Sequence, residues 1–134
     1  MSIISQTSIP GSSADLISED LPCDASVAIG DWVRFDSGVL VKAIATDIDT
    51  SNVIGIVESK ATSVLATIRL GGVTQVLSGL DNSTEYLLSP STAGGMTPLG
   101  VDVPSASGSA LLILGKAISL TRFYINVGNR IIRS

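Results

Sequence analysis

Hydrophobic and polar positions in residues 27–72 fall into four short runs of Val, Ile and Leu separated by turn-forming clusters. Residues 31–35 alternate through Trp32, Val33, Arg34 and Phe35 and end at Asp36-Ser37-Gly38, where the glycine supplies the positive φ of a tight hairpin. Residues 39–45 form the second run and stop at the polar stretch 46–52. The third and fourth, 53–57 and 64–70, lead to Gly71-Gly72. Runs this short and this closely spaced leave no room for helices and predict a small antiparallel barrel or sandwich. Residues 73–77 and 85–89 are further strand candidates on either side of the polar turn 79–84. Upstream, 14–21 (ADLISEDL) reads as one helical turn stopped by Pro22. Residues 1–13, where Pro10-Gly11 and Ser12-Ser13 interrupt the isoleucines, read as a flexible N-terminal arm.

The pattern changes after residue 89. Three prolines and four glycines in residues 90–108 exclude regular structure and predict a linker or long loop. Residues 109–114 are then almost wholly apolar, and 117–127 alternate imperfectly. Leu111, Leu112, Ile113 and Leu114 are consecutive, which makes both faces of a strand apolar. The next strand puts Ile118 and Leu120 on one face and Phe123 and Ile125 on the other. One small barrel is expected to cover a single face, so the second is assigned to a neighbouring copy. The chain thus divides into the arm 1–13, a β-barrel domain 14–89, and a linker with a C-terminal oligomerisation segment 90–134. Leu112, Leu114, Ile118, Leu120, Phe123 and Ile125 are the expected interface, and a chain cut after Ser89 is expected to fold as a monomer.

Composition supports assembly. Charged residues make up 15% of the chain against about 25% in ordinary soluble domains, while 45% are hydrophobic. A surface so poor in charge implies an apolar face covered by a partner. The net charge of −4 argues against nucleic acid, whose binders need a basic footprint. Cys23 is the single cysteine, which excludes an internal disulfide and fits a reducing compartment. No apolar run approaches the roughly 18 residues of a membrane span. The start, MSIISQTSIPG, lacks the layout of a secretion signal, so synthesis and use without membrane passage are expected.

Candidate chemistry is sparse. There is no histidine, which removes Ser-His, Cys-His and His-metal arrangements. Asp24 beside Cys23 disfavours a thiolate, and no spacing among the 12 carboxylates singles out a pair. Gly71-Gly72 and Gly94-Gly95 lack the lysine and strand-to-helix setting of a phosphate loop. No enzyme activity, cofactor or metal is expected. Residues 47–58 come near a calcium loop, with oxygen ligands at the first, third and fifth places and Glu58 at the twelfth. Their flanking runs read as strands, so a polar hairpin loop is the expectation. Asn82-Ser83-Thr84 has glycosylation spacing and reads as a turn. Trp32, Phe35, Tyr86, Phe123 and Tyr124 are assigned to core packing. Arg34, Lys42 and Arg69 are assigned to solvent or to blunting an edge.

The runs AIGDWVRFDSGVLVKAIA, VIGIV, YLLSPSTAGGMT and LILGKAIS resemble small β-modules of tailed-phage virion proteins. In those a Gly-Asp before a strand, a YLS-type strand ahead of a Gly-Gly turn and a late G-x-A strand recur. With its length and lack of catalytic groups, the chain resembles the capsid decoration (cementing) proteins, of the Dec type found on phages with P22-like heads. The resemblance covers roughly residues 25–127. It implies an all-β fold, an OB-like antiparallel barrel followed by a C-terminal β segment used in a homotrimer. It also implies docking on the outside of the mature head, near three-fold positions, against the major coat protein lattice. Such a protein is made in the host cytoplasm and ends on the virion surface. The chain departs from a usual OB fold in lacking a helix between the third and fourth strands. Ile3, Ile4 and Ile9 of the arm are the expected capsid contacts. The alternative is a receptor- or glycan-binding β-module of a phage tail protein, with Trp32 or Tyr86 as a sugar platform. A single-strand nucleic-acid binder is disfavoured by the charge and the few aromatics.

Overall fold

A computed structural model describes residues 16–133, and over them the chain is all-β: twelve strands, antiparallel sheets and no helix. Of the segment read as a helical turn, the described residues, 16–21, are extended. They form β1 (Leu16–Pro22), which pairs with a later strand, Leu16 opposite Arg69 and Pro22 opposite Leu65. One isolated turn would carry the full cost of helix nucleation, whereas the extended segment satisfies its backbone along a neighbour.

The predicted hairpin closes at Asp36↔Val39 between β2 (Trp32–Asp36) and β3 (Val39–Lys42), with Ser37 and Gly38 both at positive φ. With β4 (Gly55–Thr62) and β5 (Leu65–Arg69) these strands make the first sheet, in the order β1-β5-β4-β2-β3. The sheet curls until its edges touch at a single parallel bridge, Cys23↔Leu40, where Asp24 N donates to Leu40 O (2.9 Å). It is not a closed barrel. The chain then crosses at Gly71 into a second sheet. This holds β6 (Gly72–Thr74), β7 (Glu85–Leu88) and β8 (Met96–Pro98). Beyond the two-residue β9 (Ala110–Leu111) it gains β10 (Ile113–Ala117) and β11 (Phe123–Ile125), for an order of β6-β11-β10-β7-β8. A last strand, β12 (Ile131–Ile132), pairs with β9.

Two cores result, and both draw on the same two strands. Successive side chains of a strand point to opposite faces. Trp32 and Ile56 therefore enter the core between the sheets, with Tyr86, Leu88, Phe123 and Ile125. Val33 and Val57 enter a smaller core inside the curled sheet, with Leu40, Ala66 and Ile68. Phe123 lies edge-on to both Trp32 and Tyr86, with 5.8 Å between centroids in each pair and interplanar angles of 72° and 78°. Such pairs contribute about 0.5–1.5 kcal/mol each beyond their buried area. The Trp32 Nε1 donor is buried here without a protein acceptor.

The expected division at residue 89 does not appear. β10 pairs with β7, β11 pairs with β6, and β8 lies within the expected linker. Leu112, Leu114, Phe123 and Ile125, expected between copies, are instead buried in the chain's own core. The expectation counted one sheet where there are two. Leu111 and Ile113, on the other side, are half-buried beside Ile131 and Leu87 of adjacent strands. A cut after Ser89 would remove five members of the main core, including Ala117, so 14–89 is not a self-sufficient unit.

At Gly115 the β10 and β11 backbones come so close that a Cβ would stand 2.0 Å from the Tyr124 carbonyl oxygen. Gly115→Ala should cost about 3 kcal/mol or more, as a buried clash that only backbone movement relieves. Gly38→Ala, at φ 82° with nothing within 4 Å, should cost only about 1 kcal/mol. Urea denaturation of the two variants checks this; equal losses would contradict the close approach.

Candidate functional site

The stretch that comes near a calcium loop is occupied with its own folding. Asp47 Oδ1 accepts from the amides of Asp49 (2.8 Å) and Thr50 (2.9 Å), and Thr50 Oγ1 donates to Ile44 O (2.9 Å). The Thr50 amide first, then the Thr50 hydroxyl and the Asp49 amide, hold the Asp47 carboxyl below the usual aspartate value. Glu58, the twelfth residue, sits on β4. It meets Arg69 with Oε2 3.1 Å from Nε and accepts the Thr74 hydroxyl. Among the described residues no three His, Cys, Asp or Glu side chains gather as metal ligands. Asp24 is likewise turned inward on its own loop: the Ser26 hydroxyl, then the Ser26 amide, lower its carboxyl.

Arg69 does not face solvent or blunt an edge. It lies on the interior strand β5, its side chain 16% exposed, and through Glu58 and Thr74 it ties the first sheet to β6. Lys42 stands 3.8 Å from Asp31. Cys23 is buried and free.

The aromatic set divides. Trp32 and Tyr86 are 0% and 5% exposed, so neither can serve as a sugar platform. Phe35 and Tyr124, expected in the core, are 44% and 46% exposed. Tyr124 belongs to a row that the register sets across four strands: Val73 of β6, Tyr124 of β11, Lys116 of β10 and Glu85 of β7, all exposed. One pleat further along β10 and β11, Ile118 stands exposed beside Arg122, the Ile118 amide donating to Arg122 O (2.9 Å). Leu120, in the turn joining the two strands, is the most exposed large apolar side chain among the described residues. A groove of about 560 Å³ runs beside this face between Leu70, Gly72 and Asn126, with Tyr124 on its rim. The outer face of the second sheet is thus a mixed surface on which Val73, Ile118 and Tyr124 stand exposed among Lys116, Arg122 and Glu85. It can bury area against a partner, and it holds no nucleophile with a base beside it.

Of the residues singled out from sequence, Ile118 and Leu120 lie on or next to this face, four are core, and Ile3, Ile4 and Ile9 lie outside the described residues. Tyr124, assigned to the core, and Val73, read only as part of a strand, both face outward; the Phe-Tyr-Ile order of β11 carries the signal, because a strand that buries Phe123 and Ile125 must turn Tyr124 outward. No protein family profile, curated protein or solved structure matches this chain.

Because the folded-state pKa of Asp47 is lowered, its stabilising contribution is present above the unfolded-state value and lost as pH falls through the folded one. Asp47→Ala should therefore melt below the wild type at neutral pH, and the gap should close in acid. Chelator should leave the wild-type melting temperature unchanged. A gap that persists throughout the acid range, or a calcium-dependent rise in melting temperature, would contradict this account of the loop.

Proposed function

We propose that this chain is a decoration (cementing) module that binds the outside of an assembled tailed-phage head as a trimer and stabilises the shell. The curled first sheet is read as its OB-like unit. The observation that carries the proposal is the outer face of the second sheet. It leaves Val73, Ile118 and Tyr124 exposed, with Leu120 beside them, on a chain only 15% charged. Such a face is stabilised by covering it. A protein that binds only the assembled lattice shifts the assembly equilibrium towards it without any chemistry, and three linked copies multiply a weak contact into a firm one.

The motif residues behind the resemblance support the same reading through their positions. Trp32 N donates to Gly94 O (2.9 Å) and Gly94 N to Ala43 O (2.7 Å), and a Cβ on Gly94 would stand 2.9 Å from the Asp31 carboxyl. The Gly-Asp and Gly-Gly elements thus meet as one joint between the sheets, a structural use that suits a module without catalytic duty. The alternative, a glycan-binding tail module, would rest on Tyr124 rather than Trp32 or Tyr86.

Co-sedimentation tests the choice. The protein should pellet with expanded capsids and stay in solution with procapsids. Ile118→Ser with Tyr124→Ser should weaken pelleting at least about tenfold, equivalent to about 1.4 kcal/mol, without lowering the melting temperature. Unaltered pelleting by the double variant, or glycan-array binding without capsid binding, would overturn the proposal.

A further inference from the structure

The last described segment returns along the chain that precedes β10. Gly128 N donates to Ile113 O (2.9 Å), Arg133 N to Ser109 O (2.8 Å) and Gly108 N to Arg133 O (2.8 Å). This ladder holds the backbone of Arg130 from both sides, and the Arg130 side chain reaches across to the loop 46–52. There Nη1 donates to Ile48 O and lies 3.4 Å from Ser51 Oγ. Ser51 is itself fully buried, and its hydroxyl donates to the same carbonyl (3.3 Å).

Both partners of this guanidinium among the described residues, Ile48 O and Ser51 Oγ, are neutral. The ion pairs among the described residues are Lys42–Asp31 and Arg69–Glu58, and neither involves Arg130. Asp47, on the facing loop, is folded onto the amides of Asp49 and Thr50. Beside Arg130 lies a cavity of about 350 Å³, within the range of small-ligand pockets, about 300–1,000 Å³. Its lining includes Asn52 and Asn129 as well as Arg130, together with the apolar Ile48, Val53 and Ile132. A guanidinium pinned by one nitrogen keeps further donors in a rigid fork. A carboxylate matches that fork with two parallel charge-assisted bonds.

We propose that this cavity binds a small carboxylate with a compact apolar body. The carboxylate pairs with Arg130, the amides of Asn52 and Asn129 steady it, and the apolar part rests against Ile48 and Ile132. The site is separate from the outer face of the second sheet and does not depend on the decoration reading. The carboxylate is the shared chemistry: a branched aliphatic acid carries it on an alkyl body, and a uronic acid sugar on a hydroxylated ring whose C–H face is its apolar part.

Nuclear magnetic resonance of the full chain separates them, following the Arg130 Nε–H and the Asn52 and Asn129 amide signals. The probes are 4-methylpentanoate, glucuronate and the neutral 4-methylpentanamide. Saturable shifts with 4-methylpentanoate, absent with the amide and at least tenfold weaker in Arg130→Gln, are expected. Shifts with glucuronate alone, equally lost in Arg130→Gln, would support the carboxylate site and name an acidic sugar as its source. Asn129→Asp, which places a competing anion at the exposed rim, should abolish the response and serves if Arg130→Gln fails to fold. No saturable shift with either acid, an equal response to the amide, or an undiminished response in the folded variants would overturn the proposal.

Discussion

Everything in this fold depends on two adjacent pairs of residues, Trp32-Val33 on β2 and Ile56-Val57 on β4, whose four side chains are all fully buried. Trp32 lies opposite Ile56 and Val33 opposite Gly55 in the register, so Trp32 and Ile56 share one face of the first sheet while Val33 and Val57 sit diagonally on the other. One face closes against the second sheet and the other against the inside of the curl. Burying a large apolar side chain is worth about 1.5–3 kcal/mol. Four of them on two strands make this the place where neither core can be lost without disturbing the other. Phe123, packed edge-on to Trp32 and Tyr86, brings the C-terminal strands into the same arrangement.

This constraint decides which surfaces remain for partners. Around β2 and β4 the first sheet has spent both faces on cores, and its charged groups are used locally: Arg69 with Glu58, Lys42 with Asp31. The second sheet buries one face and leaves the other, with Tyr124 and Ile118, to solvent. The surfaces proposed for partners are the outer face of the second sheet and the cavity beside Arg130. The hydroxyl–carboxylate pairs Ser26–Asp24, Thr74–Glu58 and Ser91–Asp102 tie loops and strands together, and many polar atoms of the loops are engaged in turns of their own.

Much of the first sheet was legible from alternation and turn chemistry, because the Asp36-Ser37-Gly38 hairpin and the strands on either side depend on local sequence. Residues 16–21 were not, since their extended form comes from a partner, β5, about fifty residues away in sequence. The apolar run Leu111–Leu114 was read as a surface for another copy. Period-two alternation reports that two faces are covered but does not say by what, and here a second sheet of the same chain covers one. Phe35 has the β parity of Val33, but it sits near the hairpin end, beyond the reach of the small core. Arg130 and Ser51 meet from 79 residues apart, and no local pattern announces such a contact.

The central claim is that β2 and β4 couple the two cores into one cooperative unit. Trp32 is the only tryptophan and reports the core between the sheets, while the amides of Ala66 and Ile68 report the core inside the curl. Equilibrium urea unfolding followed by Trp32 fluorescence and by hydrogen exchange at Ala66 and Ile68 tests the coupling directly. The two probes should give one midpoint and one free energy of unfolding. An inner core that opens at clearly lower urea, while Trp32 remains in its native environment, would contradict it.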